Sequence, residues 1–407
     1  AAFARQWRQE QQDARLLAGK QAFVPLQFAP GEAFQFDWSE DWVRINGVST
    51  KLQVAHVKLS YSRAFFLRAY LTQSHEMLFD AHYHAFVAFG GIPERGIYDN
   101  MKTAVDKVGR GKQRQVNKRF YAMVSHYLFE PEFCNPAAGW EKGQVEKSVQ
   151  DARHGLWYDP PPFQSLQDLN NWLQMRCRAL WSETAHPEFK ARSIAECLVD
   201  EQSHMMPVPA AFDGFIEHSK RVSSTCLITF EQNRYSVPAS FANRVISLRV
   251  YPARLVIVAE AQVVAEHERV FSRDKQSPGQ TVYDWRHYLS VAQRKPGALR
   301  NGAPFLELPE SFRQLRARLI KRPGGDREMV EVLALVLLHD EQRVEHAVAL
   351  ALESGEPSKQ HILNCLSRLE EPERPRRLQP PPALKLVCEP VADTARYDSL
   401  RRARHET

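Results

Sequence analysis

Ala33-Phe34-Gln35-Phe36-Asp37-Trp38 alternates apolar and polar side chains. A period of two is a strand's signature. It puts Phe34, Phe36 and Trp38 on one face and Asp37 on the other. Downstream, Asn46-Gly47 is the dipeptide of a tight hairpin turn. Lys51 to Ser60 and Arg63 to Leu71 are rich in Val, Leu and aromatics and read as two further strands. A helix is predicted from Ser74 to Phe89, with Ser74 as N-cap, Glu76 in the first turn and Gly90-Gly91 ending it. Arg95 to Tyr98 reads as a short strand with Asp99 at its end. A basic, glycine-containing stretch follows and reads as a loop. Asn117 to Leu128 reads as a helix, and Phe129 to Cys134 as a short strand. Asn135-Pro136 breaks the chain before a helix from Gly139 to His154. Three strands, helix, strand, helix, strand, helix is the order expected of a mixed α/β sheet flanked by helices.

Beyond Pro160 to Pro162, a linker, Ser165 to Trp181 is amphipathic, with Leu166, Leu169, Trp172 and Leu173 on one side and Ser165 and Asp168 spaced to cap it. Ser193 to Ser203 is a further helix opened by the Ser193/Glu196 capping pair. The pattern then changes to short strands at Thr225 to Phe230, Arg234 to Val237, Val245 to Tyr251, Arg254 to Ala259 and Gln262 to Glu268. Five such strands suggest a small β-barrel. From Pro309 four helices are expected, near 310–321, 326–339, 341–353 and 358–369. The domains expected are an N-terminal helix and linker (1–30), an α/β domain (31–160), a helical connector (161–215), a small barrel (216–272), a helical C-terminal region (273–371) and a Pro-rich, charged tail read as disordered (372–407).

A chain of 407 residues is long enough for two or three domains, and 43% apolar content is ordinary for a soluble protein. No apolar run has membrane-spanning length, and the polar start has no signal-peptide pattern. Six scattered cysteines without a CxxC pair fit a reduced cytoplasmic protein better than a disulfide scaffold or zinc module. The net charge of +6 is unevenly spread. Lys102, Lys107, Arg110, Lys112, Arg114, Lys118 and Arg119 face a single acid, Asp106, within eighteen residues. Such a patch suits a phosphate backbone; a solvated surface segment carries the same composition.

Three acids stand out. Asp37 sits between two aromatics in a stretch built for burial, where an acid costs several kcal/mol unless paired or metal-bound. Asp99 ends a strand beside the basic stretch. Glu146 lies on a predicted helix and shares its face with Lys142, Gln150 and Arg153, whereas Glu141 is rotated by about 140°. Hard divalent ions take oxygen ligands, and a pair of them can clamp the attacking and leaving oxygens of a phosphodiester. Each acid also has a plain reading: an edge-strand acid, an Asp-Asn turn and an i,i+4 salt bridge. His82 and His84 are two apart on a helix, so they face apart and make a poor zinc pair. Trp172 and Trp181 read as core, and Tyr235 as an ordinary strand aromatic.

Phe36-Asp37-Trp38, Gly90-Gly91-Ile92-Pro93 through Tyr98-Asp99-Asn100, and Glu141-Lys142-Gly143-Gln144-Val145-Glu146 resemble the three acidic motifs of retroviral-integrase-type transposases. Together with Asn233-Arg234-Tyr235-Ser236-Val237-Pro238, Arg286-His287-Tyr288-Leu289 and Arg294-Lys295-Pro296-Gly297-Ala298-Leu299-Arg300 they resemble, more narrowly, IstA-type transposases of the insertion sequence 21 family. The resemblance covers about residues 20 to 370. It implies an RNase H-like catalytic domain followed by a small β-barrel. It implies two Mg²⁺ or Mn²⁺ ions on Asp37, Asp99 and Glu146, and a bacterial, nucleoid-associated location. It also implies an oligomer on DNA, with element ends and target as partners, and an IstB-type ATPase helper. The family's N-terminal helix-turn-helix region is expected to precede the first residue of this chain. Gly109-Arg110-Gly111-Lys112 is followed by Gln113, so it is not a phosphate-binding P-loop, and any ATP dependence belongs to the helper.

On this reading water attacks the phosphodiester to free a 3′-OH at the element end. That 3′-OH then attacks target DNA in the same site. Lys102, Lys107, Arg110, Lys112, Arg114, Lys142, Lys147 and Arg153 are the expected DNA contacts. A catalytically inactive DNA-binding or assembly protein of the same fold, and an RNase H-like nuclease that never joins ends, are the alternatives.

Overall fold

The turn at Asn46-Gly47 organises the first sheet. Both residues have positive φ (49° and 74°), the backbone that a two-residue hairpin turn needs. It joins two long antiparallel strands, β1 (Ala33–Ile45) and β2 (Val48–Leu59). The computed structural model describes residues 26–99, 117–134, 160–271, 278–355 and 357–370, and the backbone of 105–108 and 114–116. β3 (Phe65–Tyr70) pairs with β2; β4 (Arg95–Tyr98) pairs in parallel with β1 on the other side.

The stretch read as a basic loop after Asp99 contains a small antiparallel hairpin instead, β5 (Val105–Val108) with β6 (Arg114–Val116). The charges hid it. Val105, Val108 and Val116 favour strand, and Gly109 and Gly111 fall between. β7 (Glu130–Phe133) completes a five-stranded mixed sheet of order β3-β2-β1-β4-β7.

Two helices pack on the face carrying Phe34 and Phe36: α1 (His75–Phe89) and α2 (Lys118–Tyr127). Ser74 begins α1 as expected, but its hydroxyl donates to the Glu76 carboxylate (2.6 Å) rather than capping a backbone amide. Gly90 closes α1 in the left-handed conformation. Asn117 caps α2 by accepting from the amides of Arg119 and Phe120. α3 (Leu166–Glu183) lies along the edge strand β3, where Asn170 and Trp181 bond the β3 backbone at Ala69 and Phe65. α4 (Ile194–Gln202) follows, and both helices open with the capping boxes read from the sequence. Trp181 is buried and Trp172 packs on the same core.

Downstream lie β8 (Ile216–Arg221), β9 (Leu227–Phe230), β10 (Asn233–Ser236), β11 (Val245–Val250), β12 (Arg254–Ala259), β13 (Gln262–Glu268) and β14 (Thr281–Val282). The expected barrel does not close. Among the described residues these strands make two separate sheets, β13-β12-β11-β8 and β14-β10-β9, around one core that includes Ile228, Tyr235, Leu248 and Leu255. Strand count cannot distinguish one closed sheet from two facing ones. β8 and β14 were missed because polar β8 lacks strand composition and β14 has two residues. Tyr235 is a core aromatic whose hydroxyl meets the Val270 backbone.

Arg269 ties this module to the first sheet's layer. Its guanidinium, 1% exposed, bonds Glu76 at the start of α1 (2.7 Å) and Glu231 after β9 (2.8 Å). Residues Ala1–His287 form one unit and Tyr288–Thr407 a second. The second contains α5 (Leu289–Arg294), α6 (Ala298–Asn301), α7 (Glu310–Leu319), α8 (Gly325–Leu333), α9 (Glu341–Glu353) and α10 (Lys359–Glu370). The helix expected to run to residue 339 leaves α geometry after Leu333 and tightens into a 3-10 turn at Ala334–Leu337. No helix among the described residues is long and apolar enough to cross a membrane.

Candidate active site

The parallel register of β1 and β4 sets the geometry. Gln35 stands beside Ile97 and Phe36 beside Tyr98. One residue further on are Asp37 and Asp99. Asp37 is on the face of β1 opposite Phe36, and Asp99 is the first residue after β4; adjacent strands lie about 4.8 Å apart. Asp37 is half-buried and Asp99 exposed. Asp37 Oδ1 accepts from the Trp38 amide at 3.0 Å.

The backs of these strands explain why the aspartates are held. Phe34 and Phe36 are fully buried, and His82 of α1 stacks on Phe36 with ring centroids 4.8 Å apart. His82 Nδ1 lies 2.7 Å from the Leu78 carbonyl, which can only accept, so this nitrogen carries the proton. Nε2 therefore accepts from the Tyr98 hydroxyl at 2.7 Å. Burial lowers the His82 pKa to about 4, keeping the ring neutral. The strand end that presents Asp99 is thus pinned at the preceding residue. His84 is in contact with Asp80 (3.4 Å), so the two histidines do face apart.

The row of the sheet that contains the aspartates extends both ways. Across β1 and β2 the partner of Asp37 is His56, which is buried. On the far side the Cys134 amide donates to the Tyr98 carbonyl, bringing Cys134 next to Asp99. His56 Nε2 lies 2.7 Å from Ser39 Oγ, and Ser39 donates to Asp41 Oδ2 at 2.9 Å. One step back along β1, Gln35 is 2% exposed, and neither polar atom of its amide has a partner among the described residues.

Several expected site residues are not placed. Glu146, Lys142, Lys147, Arg153, Lys102, Arg110 and Lys112 lie outside the described residues; Lys107 and Arg114 are described only as backbone of β5 and β6. Among the described residues no three His, Cys, Asp or Glu gather closely enough to hold a metal. Arg119, part of the basic run, is packed over the rings of Phe212 and Phe215 and bonds the Phe215 carbonyl. It supports the fold.

The family model for the C-terminal domain of Mu transposase matches residues 207–277. The transposase for insertion sequences IS1326/IS1353 of Pseudomonas aeruginosa is 62% identical over 402 residues, covering 99% of this chain and 79% of the relative. The transposase of insertion sequence element IS21, also from Pseudomonas aeruginosa, is 29% identical over 258 residues, 63% of this chain and 66% of that one. The chain belongs to the IS21 family of transposases. A magnesium complex of the HTLV-2 integrase catalytic core is a distant structural neighbour, with TM-score 0.29 and 13% identity over 42% of this chain and 99% of that one.

As an IS21-family transposase the protein is a nucleic-acid-processing enzyme acting in DNA transposition. Its two described acids offer what a hard cation takes: carboxylate oxygens, one from within β1 and one just past the end of β4, the second open to solvent. Sequence reasoning missed His56, Ser39 and Asp41. The signal was present: counting nine residues back from Asn46 and nine forward from Gly47 pairs Asp37 with His56.

Proposed function

We propose that this transposase cuts the 3′ ends of its element and joins them to target DNA at an RNase H-like site made by Asp37, Asp99 and Glu146. The observation that supports the reading is the parallel register of β1 and β4, which ends with Phe36 beside Tyr98, so that Asp37 and Asp99 are each the next residue along. Divalent cations held by these oxygens supply electrostatic stabilisation of the attacking and leaving oxygens of the phosphodiester. The chain's own part is geometric. β1 and β4 fix two carboxylates against a packed aromatic layer, so that little reorganisation remains when substrate arrives. Glu146 is the proposed third donor.

The hairpin β5–β6, which follows Asp99 in the sequence, is proposed as the DNA-contacting element. It carries Lys107 and Arg114, with Lys102, Arg110 and Lys112 in the flanking sequence. Lys142, Lys147 and Arg153 are proposed to contact the backbone beside Glu146. The proposed assembly is an oligomer on paired DNA ends, served by an IstB-type ATPase. The test is cleavage and joining of labelled element ends in Mg²⁺ or Mn²⁺ by the wild-type protein and by Asp37→Asn, Asp99→Asn and Glu146→Gln. Loss of both steps in each variant supports the assignment. Wild-type cleavage by Asp99→Asn refutes it.

A further inference from the structure

We propose that His56 is a positioning residue for Asp37, anchored by Ser39 and Asp41. The inference rests on the reading of Asp37 as a metal-holding carboxylate and adds a residue that neither motif nor family membership singles out.

Proton counting fixes the chain of bonds. A carboxylate offers no hydrogen, so the single hydroxyl proton of Ser39 goes to Asp41. Ser39 Oγ must then accept from His56, which places a proton on Nε2. The His56 ring is held in one orientation by a buried neighbour, itself held by a carboxylate. Outer partners that orient a metal-binding group in this way are a recurrent feature of metal sites.

The register says where that ring stands. His56 is directly across from Asp37, and Ser39 is two residues along β1 on the same face. A ring rooted opposite Asp37 and bonded to Ser39 reaches diagonally along β1 and fills the face on the β2 side of Asp37. On the other side of β1 lies β4, which ends at Tyr98 and leads into Asp99. The ring closes the β2 side to the Asp37 carboxylate and leaves it the β4 side, where Asp99 is. His56 touches neither substrate nor ion in this scheme; it limits where Asp37 can point.

The variants are His56→Leu, which keeps bulk and removes the donor, and His56→Gln, whose amide nitrogen reaches about as far as Nε2. Ser39→Ala removes the anchor and leaves the ring. Mn²⁺ binding to the full chain without DNA is followed by the electron-spin signal of free Mn²⁺, beside cleavage of labelled ends as a function of Mn²⁺. His56→Leu and Ser39→Ala should each weaken Mn²⁺ binding by about 10- to 100-fold. Both should raise the Mn²⁺ needed for half-maximal cleavage, with a smaller change in the rate at saturation. His56→Gln should recover most of the affinity, and the double variant should be no worse than either single one. A residue that only supported the fold would lower the melting temperature without this split. Wild-type Mn²⁺ binding by both His56→Leu and Ser39→Ala, while Asp37→Asn abolishes it, overturns this inference alone. Wild-type binding by Asp37→Asn overturns the site reading and this inference with it.

Discussion

His82 gives the first unit a stability that depends on pH in a defined window. Its ring is fully buried, stacked on Phe36, with one nitrogen donating to Leu78 and the other accepting from Tyr98. Neither nitrogen has room to gain charge without losing a bond, and burial lowers its pKa from 6.5 to about 4. In the unfolded chain the same imidazole takes up a proton near pH 6.5. Between those values the unfolded state binds more protons, so unfolding becomes easier as pH falls. From pH 7 to pH 5 the linkage amounts to about 2 kcal/mol, approaching about 3 kcal/mol near pH 4. His287, also lowered to about 4 by burial, adds a parallel loss, so the comparison must be with a variant. His82→Gln can accept from Tyr98 but cannot titrate. All eight tryptophans lie within Ala1–His287, so their fluorescence reports this unit alone during urea unfolding. Wild-type protein should lose about 2 kcal/mol more than His82→Gln between pH 7 and pH 5. Equal losses in the two proteins refute the account of a neutral, doubly bonded ring.

Three further outcomes follow from the packing and the charge. Gly96→Ala should destabilise by about 1–3 kcal/mol in the same urea assay, because a Cβ there would meet Phe34 Cζ at 2.5 Å and Tyr98 Cε2 at 2.8 Å. Arg269→Met leaves Glu76 buried without its cation and should cost about 3–5 kcal/mol; replacing Glu76 by Gln in the same chain should recover part of that loss. Lys107→Gln with Arg114→Gln should reduce the slope of log K against log salt for duplex DNA by about two, read by fluorescence anisotropy across a salt series, and an unchanged slope removes the hairpin from the DNA-binding surface.

The elements were legible where side-chain periodicity and turn chemistry agreed. Phe34, Phe36 and Asn46-Gly47 fixed β1 and its hairpin, and Ser165/Asp168 and Ser193/Glu196 fixed two helix starts. The β5–β6 hairpin was lost because a charged, glycine-containing run looks like a loop to any scale that weighs burial. The barrel was misread because each strand shows its own alternation and nothing about which strand it pairs with. For the site, Asp37 and Asp99 could be named individually from aromatic neighbours and a strand end. Their adjacency depends on β1 and β4 pairing across fifty residues of intervening chain, which no local pattern carries. His56 and Ser39 were hidden for a different reason: buried polar residues on a strand look like ordinary interruptions until the register is known.

That register also explains why core and site cannot vary independently. Phe36 and Asp37 are consecutive on β1, and Tyr98 and Asp99 are consecutive where β4 ends, so each aromatic that packs with α1 is followed directly by an acid. A slip of one residue in either strand would send an aspartate into the aromatic layer and a Phe or Tyr toward solvent, with the loss of several kcal/mol on both counts. The stacking of His82 on Phe36 and its bond to Tyr98 act on the two residues that immediately precede the acids. Packing on the α1 side therefore sets the aim of the carboxylates that follow. Variants such as Tyr98→Phe, remote from any ligand oxygen, should accordingly lower stability and metal affinity together, measured by urea unfolding and Mn²⁺ titration on the same preparation. A Tyr98→Phe protein that loses stability while binding Mn²⁺ as the wild type does would show that the strand ends hold their aim without help from the core.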